Sequence, residues 1–208
     1  MTWTSGVGRV CGVLLDAIVR MLALARINPN LLTVMGLVVN TYAAFLFGYA
    51  TGENQRRMFL YAGLVIIGSG FFDLVDGRVA RASNKVSLFG GFFDSVVDRY
   101  SDASLFFGLI VYYARGNRFF YVVLTALVMI SSIMVSYARA RAESLIGTCR
   151  VGFMERPERL VLLIIGALFN VMAPVLWVIA VLSTITVIHR IVYTWQRTKE
   201  MEATARAA

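Results

Sequence analysis

The chain has 208 residues, of which 59% are hydrophobic and only 15% charged, and its mean hydropathy of +0.73 excludes a soluble domain. A net charge of +8 would point to nucleic acid in a soluble protein; here it reads as basic loops facing an anionic leaflet and anionic substrates, with no nucleic-acid partner. Cys11 and Cys149 are the only cysteines and form no CxxC, which excludes a disulfide framework and a thiolate metal site.

At the start of the chain, Val10, Val13, Leu14, Ala17, Ile18, Met21, Leu22 and Ala25 recur at helical spacing. Arg9, Asp16, Arg20 and Arg26 fall elsewhere on the wheel. That pattern predicts an amphipathic helix in the membrane interface, with Trp3 near its start. The same charges interrupt the clean apolar run that a cleavable signal peptide needs. Asn28-Pro29-Asn30 then breaks the helix and opens the first span.

Apolar runs follow at 31–50, 58–72, 92–113, 119–137, 160–171 and 174–193. The second reaches spanning length only if it extends through Asp73, which sets the acids at its end. The fold expected is therefore an all-α membrane protein of six transmembrane helices, preceded by the interfacial amphipathic helix. It forms a single domain over 1–208, with a juxtamembrane helix at 1–28, a bundle at 29–195 and a polar tail at 196–208. Of the 20 basic residues, Arg56, Arg57, Arg115 and Arg118 fall on one side of the membrane and all others on the side of the termini. By the positive-inside rule, the termini and the acids face the cytoplasm of a multi-pass cell-membrane protein. Glycines at Gly63, Gly68 and Gly70 predict close helix contacts.

The chemistry gathers in the stretch 73–98. Asp73 and Asp76 are i,i+3 neighbours on one helix, and Asp94 and Asp98 are i,i+4 neighbours on the next. A turn containing Gly77, Arg81, Asn84 and Lys85 is expected to let the two helices pack antiparallel and converge their carboxylates. Four carboxylates at a membrane boundary repel one another and are costly to desolvate. A hard divalent cation with oxygen ligands resolves that repulsion.

These residues fit D-x2-D-G-x2-A-R-x8-G-x3-D-x3-D at every fixed position: Asp73, Asp76, Gly77, Ala80, Arg81, Gly90, Asp94 and Asp98. The stretch resembles the CDP-alcohol phosphotransferase family of integral membrane enzymes. The resemblance implies that a small alcohol attacks the lipid-side phosphorus of a CDP-lipid and that CMP leaves. Under that reading Asp73, Asp76 and Asp94 are metal ligands, for Mg2+ or Mn2+. Asp98 is the candidate base and equally a candidate ligand. Asp73, Gly77, Ala80, Arg81 and Gly90 would hold the CDP-lipid: the small residues admit the nucleotide, and Arg81 offers a planar fork to phosphate. A homodimer is implied as well. Asn30 and Thr33 are explained by helix capping or by nucleotide contact.

The acceptor is read from a second region. The stretches 89–99, 136–143 and 155–159 resemble one branch of that family, the phosphatidylinositol-phosphate synthases. Residue by residue, this implies that Ser136, Arg139, Arg159 and Arg190 bind the phosphate of inositol 1-phosphate, with CDP-diacylglycerol as donor. Asp102 either meets inositol hydroxyls or pairs with Arg99. The alternative within the family is glycerol 3-phosphate as acceptor. An alternative of another class is a divalent-cation channel or transporter, which needs acids spread through the membrane depth and has no use for Gly77, Ala80 and Arg81.

Overall fold

The computed structural model describes residues 21, 28–82 and 87–207; the side chain of Asp76 is outside that description. The amphipathic helix expected over 10–26 and the turn residues Asn84 and Lys85 lie outside it too. Among the described residues six helices follow in order: α1 Pro29–Tyr49, α2 Gln55–Ala82, α3 Leu88–Arg115, α4 Phe119–Ile146, α5 Arg156–Leu168 and α6 Met172–Ala207. The chain is all-helical, as expected.

The first helix starts where the sequence breaks. Asn28 accepts a hydrogen bond from the Asn30 backbone N–H at 3.1 Å, and Pro29 needs no donor there. The second helix runs through Asp73, Gly77 and Arg81, so Gly77 and Arg81 lie in its last turns and not in the expected turn. Ser87 caps α3 by accepting from the Gly90 N–H at 2.9 Å. Glu155 and Glu158 close the start of α5, where the Glu155 N–H donates to the Glu158 carboxylate at 3.0 Å.

Four helices, Pro29–Tyr49, Gln55–Arg81, Phe119–Ile146 and Met172–Arg206, are long and apolar enough to cross a membrane. The third is long enough but carries Asp94, Asp98, Arg99 and Asp102 in its first half. The fifth has 13 residues, about 20 Å at the α-helical rise, short of a hydrocarbon core of roughly 30 Å.

The helices close a ring of contacts: α1 packs on α2 and α3, α3 on α4, α4 on α6, α6 on α5, and α5 back on α2. Helices α2 and α3 make little direct contact, contrary to the antiparallel pair expected, because α1 lies against both. One core runs down the middle and draws on all six, with Phe47, Phe59, Phe106, Leu109, Val128, Leu163 and Leu176 buried in it. Phe59 is its hinge, edge-on to Phe47 and to Tyr112 at 4.9 Å each. Outside, Val38, Phe45, Phe107, Ile130, Val181 and Ile188 are exposed, as suits a bundle surrounded by lipid.

Small residues set the tightest crossings. A Cβ on Gly108 would lie 2.2 Å from the Ala44 carbonyl oxygen, so α1 and α3 touch backbone to backbone. Gly63 faces Leu168 and Ala167 of α5 within the same chain, while Gly68 and Gly70 face open space. Replacement Gly108→Ala should therefore force α1 from α3 and destabilise the protein by roughly 1–3 kcal/mol. Gly68→Ala should be neutral or stabilise it by up to about 1 kcal/mol. Thermal unfolding of both variants in detergent micelles checks the contrast.

Candidate active site

Three helix ends meet at one end of the bundle. The last turns of α2 bring Asp73, the first turns of α3 bring Asp94 and Asp98, and the start of α5 brings Arg156 and Arg159. Gly36 on α1 makes room for Asp73: a Cβ there would stand 3.1 Å from the Asp73 carboxylate. The acids converge on a guanidinium. Arg156 Nη1 donates to Asp73 Oδ2 at 2.8 Å and lies 3.0 Å from Asp98 Oδ1, while its Nε is 3.5 Å from Asp102 Oδ1.

Two cavities open on either side of these acids. The first, about 280 Å³, is lined by Asn30, Thr33, Gly77, Ala80, Arg81, Gly90 and Asp94, among others. It unites the residues expected at the CDP-lipid, except Asp73, and adds Asn30 and Thr33. A Cβ on Gly77 would meet both terminal guanidinium nitrogens of Arg81 at 3.9 Å, an ordinary van der Waals contact. Helix α1 contributes Asn30 to this wall, with its side-chain oxygen 3.7 Å from where a Cβ on Gly90 would lie.

The second cavity, about 140 Å³, is lined by Asp98, Asp102, Ser136, Arg139, Glu155, Arg156, Arg159 and Arg190, among others. All four residues expected at the acceptor phosphate are here, drawn from α4, α5 and α6. The loop 147–155 holds the cavity shut on one side. Its Gly152 has φ +107° and lies so close to α6 that a Cβ would strike the Thr186 methyl at 2.5 Å. The Met154 N–H donates to Thr186 Oγ1 at 3.1 Å, and Arg190 Nε donates to the Val151 carbonyl at 2.8 Å.

The arginines of this cavity are not equivalent. Arg190 is buried with all its nitrogens engaged: besides Val151, Nη1 donates to the Val135 carbonyl at 2.6 Å and Nη2 to Glu155 Oε1 at 3.0 Å. Arg139 donates to the same Glu155 oxygen at 2.8 Å and to Glu143 at 3.0 Å. Arg159 is only 3% exposed and donates through Nη2 to Asp102 Oδ2 at 2.7 Å. Its Nε and Nη1 are buried with no hydrogen-bond partner, a costly state that an anion in the cavity relieves. Ser136, one turn before Arg139 on α4, completes the wall.

Asp102 pairs with Arg159 and Arg156, not with Arg99, which donates to the Ser95 carbonyl. Sequence reasoning placed Glu155 and Arg156 in the stretch 155–159 but gave neither a role in the site. Their signal lay in Pro157, which marks a helix start and so places both at an α5 N-terminus pointing toward the acids.

Among the described residues no three acids, histidines or cysteines are gathered as a cage for a metal. The donor set nonetheless fits a hard cation. Carboxylates from two different helices, Asp73 and Asp98, already meet one positively charged atom at 2.8 and 3.0 Å, and that atom is Arg156 Nη1.

Known proteins resemble this chain over most of its length. A family model described as CDP-alcohol phosphatidyltransferase matches residues 26–195. The archaetidylinositol phosphate synthase of Pyrococcus horikoshii is 41% identical over 178 residues, which span 85% of this chain and 88% of the relative. The crystal structure of Mycobacterium tuberculosis phosphatidylinositol phosphate synthase with CDP-DAG bound superimposes with a TM-score of 0.77 at 28% identity, covering 87% of this chain and 93% of that one. The structure of the same mycobacterial enzyme in complex with manganese and citrate gives 0.75 at 29% identity, covering 87% and 88%.

Removing one side of the Asp102–Arg159 pair should be severe. Asp102→Ala leaves a buried guanidinium without its carboxylate and should cost about 3–5 kcal/mol. Asp102→Asn should cost less, because the amide oxygen still accepts. Unfolding midpoints of the two variants in one detergent measure the difference.

Proposed function

The chain belongs to the CDP-alcohol phosphatidyltransferase family, and from that footing we propose that it transfers a phosphatidyl group from CDP-diacylglycerol to inositol 1-phosphate, giving phosphatidylinositol phosphate and CMP. It is a multi-pass membrane enzyme of phospholipid synthesis, and membership in this family removes the cation-channel alternative. What supports the acceptor is one juxtaposition. Asp98 shares a cavity with Ser136, Arg139, Arg159 and Arg190, so an acid able to take a proton faces groups that bind a phosphate. The archaeal relative is named for making archaetidylinositol phosphate and the mycobacterial neighbour for making phosphatidylinositol phosphate, so both names put an inositol phosphate in the product.

The reaction divides between the two cavities. On one side of the acids, Gly77, Ala80 and Gly90 leave room for the cytidine nucleotide, with Arg81 reaching its phosphates and Asp73 beside them. On the other side, Arg159 offers Nε and Nη1 to the acceptor phosphate and Arg139 adds charge at the rim. Arg190 holds Glu155 and the 147–155 loop in place as much as it binds anion. The acceptor hydroxyl then meets the lipid-side phosphorus in line: its oxygen forms the new P–O bond, the bond to CMP breaks, and Asp98 takes the hydroxyl proton. A divalent cation, Mg2+ or Mn2+, held by Asp73, Asp76, Asp94 and Asp98, supplies neutralisation of the diphosphate and of the leaving CMP.

The same proposal covers the surroundings. All six helices cross the bilayer, the short α5 by local thinning and by snorkelling of its flanking residues. The acids and both termini face the cytoplasm, residues 1–208 form one domain, and the enzyme works as a homodimer.

Purified protein in lipid, supplied with Mg2+ and CDP-diacylglycerol, should release CMP with inositol 1-phosphate and not with free inositol or serine. Faster release with glycerol 3-phosphate would sink the acceptor assignment while leaving the family chemistry intact. In the same assay Asp98→Asn should lose activity by roughly 10²–10⁴-fold, and chelation by EDTA should abolish it. Arg81→Lys keeps the charge but loses the planar fork, and should fall by at least about tenfold in kcat/KM for the CDP-lipid.

A further inference from the structure

Arg156 stands between two anionic demands. Its Nη1 touches Asp73 and Asp98 at 2.8 and 3.0 Å, and its Nε lies 3.5 Å from Asp102. The same side chain lines the acceptor cavity beside Arg139, Arg159 and Arg190. Its backbone is anchored at the start of α5, with Pro157 following and the Glu155 N–H fixed to Glu158. The freedom left is in its own rotamers. A guanidinium does not shed its proton, so its charge must always be matched by one anion or another. A divalent cation bound by Asp73 and Asp98 would use the oxygens that now accept from Arg156. Two cations cannot both sit about 3 Å from the same oxygens without strong mutual repulsion in a poorly solvated site.

We propose that Arg156 is a tethered cation that trades the carboxylates of Asp73 and Asp98 for the acceptor's phosphate when a divalent metal binds. Metal and phosphorylated alcohol then bind with positive coupling, and each raises the affinity of the other by the same factor. The coupling also makes Arg156 a residue of acceptor choice. An alcohol without phosphate offers the displaced guanidinium nothing, so Arg156 stays on the acids and the metal is held loosely. Asp102 suits this exchange because it reaches Arg159 through one oxygen and Arg156 through the other, linking the two arginines from below the cavity.

This inference rests on the metal and acceptor reading given above, and Mn2+ binding separates the two. Free Mn2+ is measured by electron paramagnetic resonance against the full-length protein in detergent, with and without inositol 1-phosphate or free inositol. Wild-type protein should bind Mn2+ roughly tenfold more tightly with inositol 1-phosphate present and no more tightly with inositol. Arg156→Gln should bind Mn2+ roughly tenfold more tightly than wild type when no acceptor is present, and should lose most of the coupling. A structural role alone predicts the opposite sign, because a loosened site holds metal less well. Arg156→Lys keeps the charge but lacks a fork that spans Asp73 and Asp102 together, so its Mn2+ affinity should fall between the other two; it decides the matter if the Gln variant does not fold. Gln and Lys variants that bind Mn2+ no more tightly than wild type would overturn the role of Arg156 and leave the metal site standing. A wild-type protein that binds no Mn2+ would overturn both.

Discussion

Carboxylates withdrawn from water repel one another, and one end of this bundle holds Asp73, Asp94, Asp98 and Asp102 together. Most of the arrangement there answers that repulsion. Arg156 and Arg159 sit one helical turn apart at the start of α5 and together contact three of the four acids. The helix that carries them is short because its task at this end is to deliver two guanidinium groups; its far end has only to pack against Gly63 and the core. Without those two cations the acid motif would have to ionise unpaired at a membrane boundary, a state that is not maintained.

The same electrostatics divides the site. Asp94 faces the cavity of small residues and Asp98 faces the arginine cavity, although they are one turn apart on one helix. A reaction that joins a nucleotide-activated lipid to a phosphorylated alcohol needs two compartments with a shared wall, and α3 provides that wall. The proposed assignment of donor and acceptor follows from the lining chemistry. Glycine, alanine and one arginine suit a bulky nucleotide, while clustered guanidinium groups suit a compact, highly charged phosphate.

Glu155 has a place in this balance. An acid in the arginine-lined cavity looks misplaced, yet it binds Arg139 and Arg190 through a single oxygen at 2.8 and 3.0 Å. It holds two mutually repelling cations on α4 and α6 at a fixed spacing. Arg190, buried and tied to two backbone carbonyls, in turn fixes the loop that carries Glu155. Protein contacts thus hold Arg139, Glu155 and Arg190 in place around the cavity.

Helical class, the apolar runs and the acid motif were legible in the sequence because each depends on neighbours a few residues apart. Hydropathy requires no knowledge of packing, and the spacing of Asp73, Asp76, Asp94 and Asp98 is visible in the chain itself. The start of α1 was marked by Asn28 for the same reason, whereas Ser87 and Pro157, which start α3 and α5, were not read as helix starts. Contacts between distant segments were not legible. The extension of α2 through Gly77 and Arg81 ran against the turn expected there, since a single glycine among helix formers does not end a helix that α1 and α5 support. The separation of α2 from α3 by α1, the pairing of Asp102 with Arg159 over 57 positions, and the reach of Arg156 across 83 positions to Asp73 came only with the fold. Ion pairs of that range leave no periodic trace, because a guanidinium finds whichever carboxylate the packed backbone brings within 3 Å.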